Sequence, residues 1–154
     1  MKKAFTMVEL IFVIVIIGIL AAVAMPRLAA TRDDAKISKL AMAIQTFHSE
    51  ITASIVAVNK IPQNKQELEA LSNTIKVLSS DYVITVLNGK TVQFIDTDNG
   101  QEICKILTIN DSNISRVTLD FSDGNGTSII CQGVRGLVPN NSSDFVLAGN
   151  VVIY

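Results

Sequence analysis

Leu10-Ile11-Phe12-Val13-Ile14-Val15-Ile16-Ile17-Gly18-Ile19-Leu20-Ala21-Ala22-Val23-Ala24-Met25 contains no charge and no hydrogen-bonding side chain. With Phe5-Thr6-Met7-Val8-Glu9 in front of it, the stretch is roughly 21 residues, or about 32 Å of α-helix against a hydrocarbon core of about 30 Å. It is long enough to span a bilayer. A secretory signal is the competing reading, because Ala21-Ala22-Val23-Ala24 offers an Ala-x-Ala-like cleavage site. A buried core helix is another. Against a signal, the helical pattern runs on through Pro26, and an acidic residue, Glu9, stands where a signal is basic.

The rest of the composition sets wider bounds. The chain has 154 residues, with 13 Lys and Arg against 14 Asp and Glu, one His, two Cys and no Trp. A hydrophobic fraction of 49% with only 18% charged residues excludes a disordered chain. A net charge of -1 provides no basic surface, so nucleic acid is not an expected partner. The mean hydropathy of +0.41 comes largely from the front of the chain.

Glu9 is the most informative single residue. A carboxylate within a membrane helix costs up to about 2.5–3.5 kcal/mol at mid-bilayer and less near the interface. The positive end of the helix dipole offsets part of that cost. A cation at the same depth would offset more. If the chain were cut between Ala4 and Phe5, the new amine would lie one turn from Glu9, or face Glu9 of a neighbouring subunit. The plainer alternative is a carboxylate snorkelling to water.

Lys2-Lys3-Ala4-Phe5-Thr6-Met7-Val8-Glu9-Leu10, followed by Ile17-Gly18-Ile19-Leu20-Ala21-Ala22-Val23-Ala24-Met25-Pro26, closely resembles the N-terminal segment of type IV pilins and type II secretion pseudopilins. The resemblance covers roughly the first 30 residues. It implies that a membrane peptidase removes residues 1–4 and methylates Phe5. It also implies that Glu9 pairs with the N-terminal amine of an adjacent subunit and sets register during assembly, and that the segment from Gly18 to Pro26 can lose helix in a fiber. The family usually has Gly before the cut; here it is Ala4, the next smallest side chain, and cleavage at Ala4/Phe5 is still expected.

Charge counting and the resemblance disagree on topology. Lys2 and Lys3 precede the span, whereas Arg27, Arg32, Lys36 and Lys39 follow it, which by the positive-inside rule favours a cytoplasmic body. The resemblance implies a body in the periplasm. Its motif is far more specific than a two-residue charge difference, and the expectation follows it.

Beyond Pro26, Ile37, Leu40, Ala41, Ile44, Phe47, Ile51, Ile55 and Val58 recur at helical spacing between polar residues, predicting an amphipathic continuation. Asn59-Lys60-Ile61-Pro62 closes it. A coiled-coil dimer would also use such a stripe, but the stripe lasts too few heptads to favour one. Asn64-Lys65-Gln66-Glu67 has the form of a capping box and predicts a short helix through Leu71, with Leu68 and Leu71 facing inward. Tyr82 to Leu87 and Lys90 to Ile95 flank Asn88-Gly89, a hairpin signal. Asp98 to Gln101 caps either a short helix bearing Ile103, Ile106 and Leu107 or leads into a strand. Arg116 to Phe121 and Thr127 to Cys131 flank Asp123-Gly124-Asn125-Gly126 as a second predicted hairpin. Phe145 to Ala148 and Val151 to Tyr154 supply the last strand material.

The expected fold is therefore α+β: a long N-terminal helix packed on a small antiparallel sheet of about four strands. The expected divisions are a leader (1–4), a transmembrane assembly helix (5–26), its amphipathic continuation (27–59) and a globular domain (60–154). Cys104 and Cys131 are the only cysteines. In a periplasmic domain they suggest a bridge, which the resemblance also implies, while two buried free thiols remain the alternative.

No catalytic constellation is evident. His48 has no second His for a relay or metal pair and reads as a helix-surface residue. Asp96-Thr97-Asp98-Asn99-Gly100 and Asp120 with Asp123-Gly124-Asn125-Gly126 cluster oxygen ligands without the spacing of an EF-hand, and turns favour the same residues. No metal, cofactor or small-molecule substrate is expected.

The function expected is a pilin-like structural subunit rather than an enzyme. Its partners would be copies of itself, other pilin-like subunits, the prepilin peptidase and an inner-membrane assembly platform. It would sit as a single-pass inner-membrane protein with a periplasmic body, and in a filament once assembled. The compact body and the short helix after Pro62 favour a type II secretion pseudopilus. A type IV pilus or DNA-uptake pilin, or an anchored periplasmic binding module that never polymerises, are the alternatives.

Overall fold

The structure is a computed structural model that describes residues 5–78, 83–97, 100–113 and 116–146. Two compact units divide the chain, Met1–Ala35 and Lys36–Tyr154, and helix α1 (Met7–Val58) contributes to both.

In the first unit α1 begins immediately after Thr6 and stays helical through Pro26. Proline has no N–H, so the Ala22 carbonyl one turn earlier loses its intrahelical donor there. The apolar side chains from Leu10 to Leu28 are exposed all round the helix. Among the described residues of this unit nothing covers them, and such a surface is not stable in water.

In the second unit the remainder of α1 buries Ile37, Leu40, Ala41, Ile44, Phe47, Ile51 and Ile55. These positions form a single stripe, and it packs on the sheet in a common core with Val92, Phe94, Leu107, Ile109, Val117 and Leu119. Phe47 meets Phe94 edge-on, with ring centroids 5.8 Å apart, the arrangement favoured by aromatic quadrupoles.

Two short helices follow. In α2 (Lys65–Leu71), Asn64 accepts from the Glu67 N–H at 2.9 Å. The Glu67 carboxylate bonds back to the Gln63 N–H at 2.9 Å, so the box closes one residue before its usual partner. Leu68 is buried and Leu71 packs against the core, as the sequence predicts. Helix α3 (Asn73–Leu78) was not legible in the sequence. It is held to α1 by Glu50, whose Oε2 accepts from Ser72 Oγ at 2.6 Å and from the Thr74 N–H at 3.1 Å.

The sheet has five strands rather than about four: β1 (Val83–Val86), β2 (Thr91–Asp96), β3 (Glu102–Asn113), β4 (Arg116–Asp123) and β5 (Ser142–Val146). They lie in the order β1-β2-β3-β4-β5, every pair antiparallel. The first hairpin is where Asn88-Gly89 places it. Its loop is longer than a two-residue turn, since Leu87 N–H donates to the Thr91 carbonyl at 3.0 Å. Gly89 is required twice over: its φ is +72°, and a Cβ there would overlap the backbone of Asn64.

Two expectations are corrected. The stretch around Ile103, Ile106 and Leu107 is strand, not helix. Leu107 and Ile109 are buried on the same face, directly across from Phe121 and Leu119, which is a period of two. Thr127 to Cys131 is not the second arm of a hairpin. Ser128 caps α4 (Ile129–Leu137) by accepting from the Cys131 N–H at 3.1 Å, and Ile130, Cys131 and Val134 face inward. The β-branched residues suggested a strand, but the Ser cap and the spacing from Ile130 to Val134 belong to a helix. The last strand begins at Ser142, earlier than expected, and Val151 to Tyr154 lie outside the described residues.

Candidate assembly site at the head of the first helix

Thr6 and Glu9 form a reciprocal cap on α1. The Thr6 N–H and Thr6 Oγ1 donate to Glu9 Oε2 at 2.9 and 2.8 Å, and the Glu9 N–H donates to Thr6 Oγ1 at 3.3 Å. Leu10 N–H closes the first turn on the Thr6 carbonyl. This is the Thr-x-x-Glu arrangement in which cap and acid satisfy each other's backbone donors. Both bonds to the carboxylate use Oε2. Oε1 takes no bond among the described residues and can accept from a cation brought alongside.

Phe5 and Glu9 are both exposed. Ala4, on the other side of the expected cut, lies outside the described residues. Gly18 has nothing within 4 Å of the place a Cβ would occupy, so its small size serves no contact within the isolated chain. It is one weak point in the helix, through backbone entropy, and Pro26 is a second. Glu9, Gly18 and Pro26 thus lie on one helix whose apolar surface is exposed. The helix from Met7 has the length and composition to cross a membrane, with a mean hydropathy of 3.0 over its most apolar window and none of that window buried.

The first 25 residues match the family model for the prokaryotic N-terminal methylation motif. The chain carries a prepilin-type N-terminus. The match supports a prepilin-type, type IV pilin-like subunit, and the apolar helix that follows has the length to anchor it in a membrane. No curated protein and no solved structure matches the chain.

The other candidate residues of this chain lie in the second unit. Cys104 on β3 and Cys131 on α4 are joined as a disulfide with a Cα–Cα distance of 4.5 Å. His48 is not a free surface residue: its Nε2 lies 2.8 Å from Ser143 Oγ on β5, and its ring lies 5.3 Å from that of Phe121. Burial pushes its imidazole below the ordinary histidine range. Of the acids considered as calcium ligands, Asp98 lies outside the described residues, and Asp96 and Asp123 have protein partners. Asp96 accepts from Ser128 Oγ at 2.8 Å, and Asp123 pairs with Lys105 at 2.7 Å. Among the described residues, no three His, Cys, Asp or Glu side chains converge as a metal site would need.

Two polar clusters escaped the sequence reading. Lys105 is wholly buried, its ammonium donating to Asn140 Oδ1 at 2.6 Å as well as pairing with Asp123. Asn140 Nδ2 donates to the other oxygen of Asp123 at 3.1 Å, closing the triangle. Glu102 anchors the start of α4, accepting from the Thr127 and Ser128 N–H groups, each at 2.6 Å. Only the Thr6 to Glu9 spacing carried a usable signal, since Thr-x-x-Glu before an apolar run is a capping box. The partners of Lys105 and Glu102 lie 18 or more residues away in sequence.

Proposed function

We propose that this protein is a structural subunit processed at Ala4/Phe5 and polymerised from the inner membrane into a pseudopilus serving type II protein secretion. Residues 1–4 are the leader, 5–26 the membrane and assembly helix, 27–59 its amphipathic continuation and 60–154 a periplasmic domain. The assembly platform, other pilin-like subunits and further copies of the chain are its partners.

The observation that carries this reading is the uncovered apolar helix with an acid fixed at its head, inside a matched methylation motif. That surface is soluble in lipid while the subunit waits, and the same surface becomes a filament core when copies stack. Glu9 enters the core at lower net cost when the amine of a neighbouring Phe5 accompanies it, because the attraction between the two charges repays part of their desolvation. The compact second unit and the short helix α2 after Pro62 support a pseudopilus over a pilus.

Intact-mass measurement of protein from native membranes tests the processing step. The mature chain should begin at Phe5 and carry one added methyl group. A chain beginning at Met1, or after Ala24, would overturn it. A strain lacking the gene tests the system: secreted proteins should accumulate in the periplasm while DNA uptake and surface pili persist, and the reverse would assign the subunit to a pilus.

A further inference from the structure

Lys105 stands where the strand pattern calls for an aliphatic side chain. On β3 it falls in phase with Leu107 and Ile109, both buried in the core. Across the ladder it faces Asp123, as Leu107 faces Phe121 and Ile109 faces Leu119. An apolar residue there would avoid the desolvation of an ammonium. The lysine has a specific setting instead. Its Nζ lies 2.6 Å from Asn140 Oδ1 and 2.7 Å from Asp123 Oδ1, while Asn140 Nδ2 donates to Asp123 Oδ2 at 3.1 Å. One carboxylate thus touches both nitrogens, with a separate oxygen on each. The carboxamide carbon lies one bond behind the oxygen that the ammonium grips.

The backbone fixes both partners. The β3–β4 ladder sets Lys105 opposite Asp123. Asn140 is held on each side, since the N–H of buried Val138 donates to the Val134 carbonyl at 2.8 Å and the Asn141 carbonyl accepts from the Phe121 N–H at 2.9 Å. Pro139, between them, restricts the chain further.

We propose that Lys105 and Asn140 close an intramolecular isopeptide bond, with Asp123 carrying the protons. The Lys105 ammonium passes a proton to Asp123 Oδ1, and the neutral Nζ attacks Asn140 Cγ. As that carbon–nitrogen bond forms, Asp123 delivers its proton to Nδ2 and takes one from Nζ. The bond from Cγ to Nδ2 then breaks, and ammonia leaves with the electron pair and the proton held by Asp123, as ammonium. No oxidant, cofactor or second protein is needed. Well-oriented intramolecular partners react as though present at about 10⁵ M or more, an advantage that a free amine meeting an amide in water lacks. The Asp123 side chain is 42% exposed, which gives ammonia a way out. The bond from Lys105 and the charge of Arg135 favour the ionised Asp123, so the neutral amine is a minor species and linkage is slow. Newly folded chain holds the ion pair, and linked chain accumulates with age. Cys104 is already bridged to Cys131 in the first turn of α4. The new bond would clamp β3 to the segment beyond the other end of α4, which leads into the edge strand β5. It requires neither a filament nor a particular compartment, so it stands or falls apart from the proposed function.

Mass spectrometry of aged protein from native membranes, reduced and denatured, tests this. The intact chain should be lighter by one ammonia than its own sequence requires. Proteolysis should release a branched peptide joining Lys105 to Asn140. Asn140→Ala, which keeps the Lys105–Asp123 pair, should give separate peptides and no loss of mass. Asp123→Asn, with folding verified by its Cys104–Cys131 bridge, should stay unlinked. Separate Lys105 and Asn140 peptides in the aged natural chain would overturn the inference. Ammonia loss confined to the peptide of Asn140, the mark of a succinimide closed by its own backbone, would overturn it equally. Full linkage in folded Asp123→Asn would remove Asp123 from the chemistry and contradict the proposal as stated.

Discussion

Thr6 and Glu9 bond each other in both directions, through the Thr6 amide and hydroxyl to one carboxylate oxygen and through the Glu9 amide to the hydroxyl. The acid on which assembly is proposed to depend is thus held in place within a single chain, and a cut between Ala4 and Phe5 would leave the Thr6 amide intact. Geometry and charge can therefore be separated. Thr6→Ala should cost about 1 kcal/mol of helix-cap stability and slow filament formation without stopping it. Glu9→Gln keeps an acceptor for Thr6 but loses the charge, and should leave a stable membrane protein that does not assemble. Glu9→Leu should behave likewise. Quantifying sheared filaments against membrane-bound subunit checks all three.

The Lys105–Asp123 pair is asymmetric, the lysine side chain 1% exposed and the aspartate 42%. Asp123→Ala would strand a buried ammonium with Asn140 alone and should cost roughly 3–5 kcal/mol. Lys105→Met fills the same space without a charge, and the aspartate left behind can be solvated, so its cost should be about 1 kcal/mol or less. Thermal unfolding of the two variants in detergent should show this order.

Stability should fall in acid. The Glu102 carboxyl is held below its ordinary range first by the Ser128 N–H, against some desolvation, and then by Thr127. Asp123 is held down first by the hydrogen bond from Lys105. Burial pushes Glu50 up, but the hydrogen bonds from Ser72 and Thr74 together outweigh it and bring it down. A carboxyl with a lowered folded pKa contributes stability that is complete above its unfolded value, near 4, and disappears as pH falls through the folded value. The melting temperature should decline gently below about pH 6.5, where the unfolded chain protonates His48 before the folded one does, and then drop further below about pH 5, that second fall being shallower in Glu102→Gln.

The disulfide encloses a loop with a sequence separation of 27, and in the chain-entropy model closing such a loop stabilises by about 3.5 kcal/mol. Reduction, or Cys104→Ser with Cys131→Ser, should lower the melting temperature by many degrees. A thiol assay on unfolded, unreduced protein should find none free.

Much of this fold is legible in the sequence because its signals are local. The stripe from Ile37 to Ile55, the Asn64 cap and the Asn88-Gly89 hairpin each depend on neighbours within a few residues. Helix α4 was misread because Ile129 and Ile130 favour a strand while Ser128 caps a helix, and the bridge from Cys131 to β3 and the contact of Gly133 with Ile37 supply tertiary support for the helix. Helix α3 has no signal of its own; it depends on Glu50, more than 20 residues away. At the head of α1, Glu9 and Phe5 stood out as candidates, but Thr6 did not, although it is the residue that holds the acid.

The most direct test is the filament content of cells whose prepilin peptidase is inactive. The account predicts that subunits keeping Met1 to Ala4 accumulate in the membrane and contribute nothing to sheared fibers, because the amine that would meet Glu9 is never freed. Fibers built equally well from unprocessed subunits would contradict it.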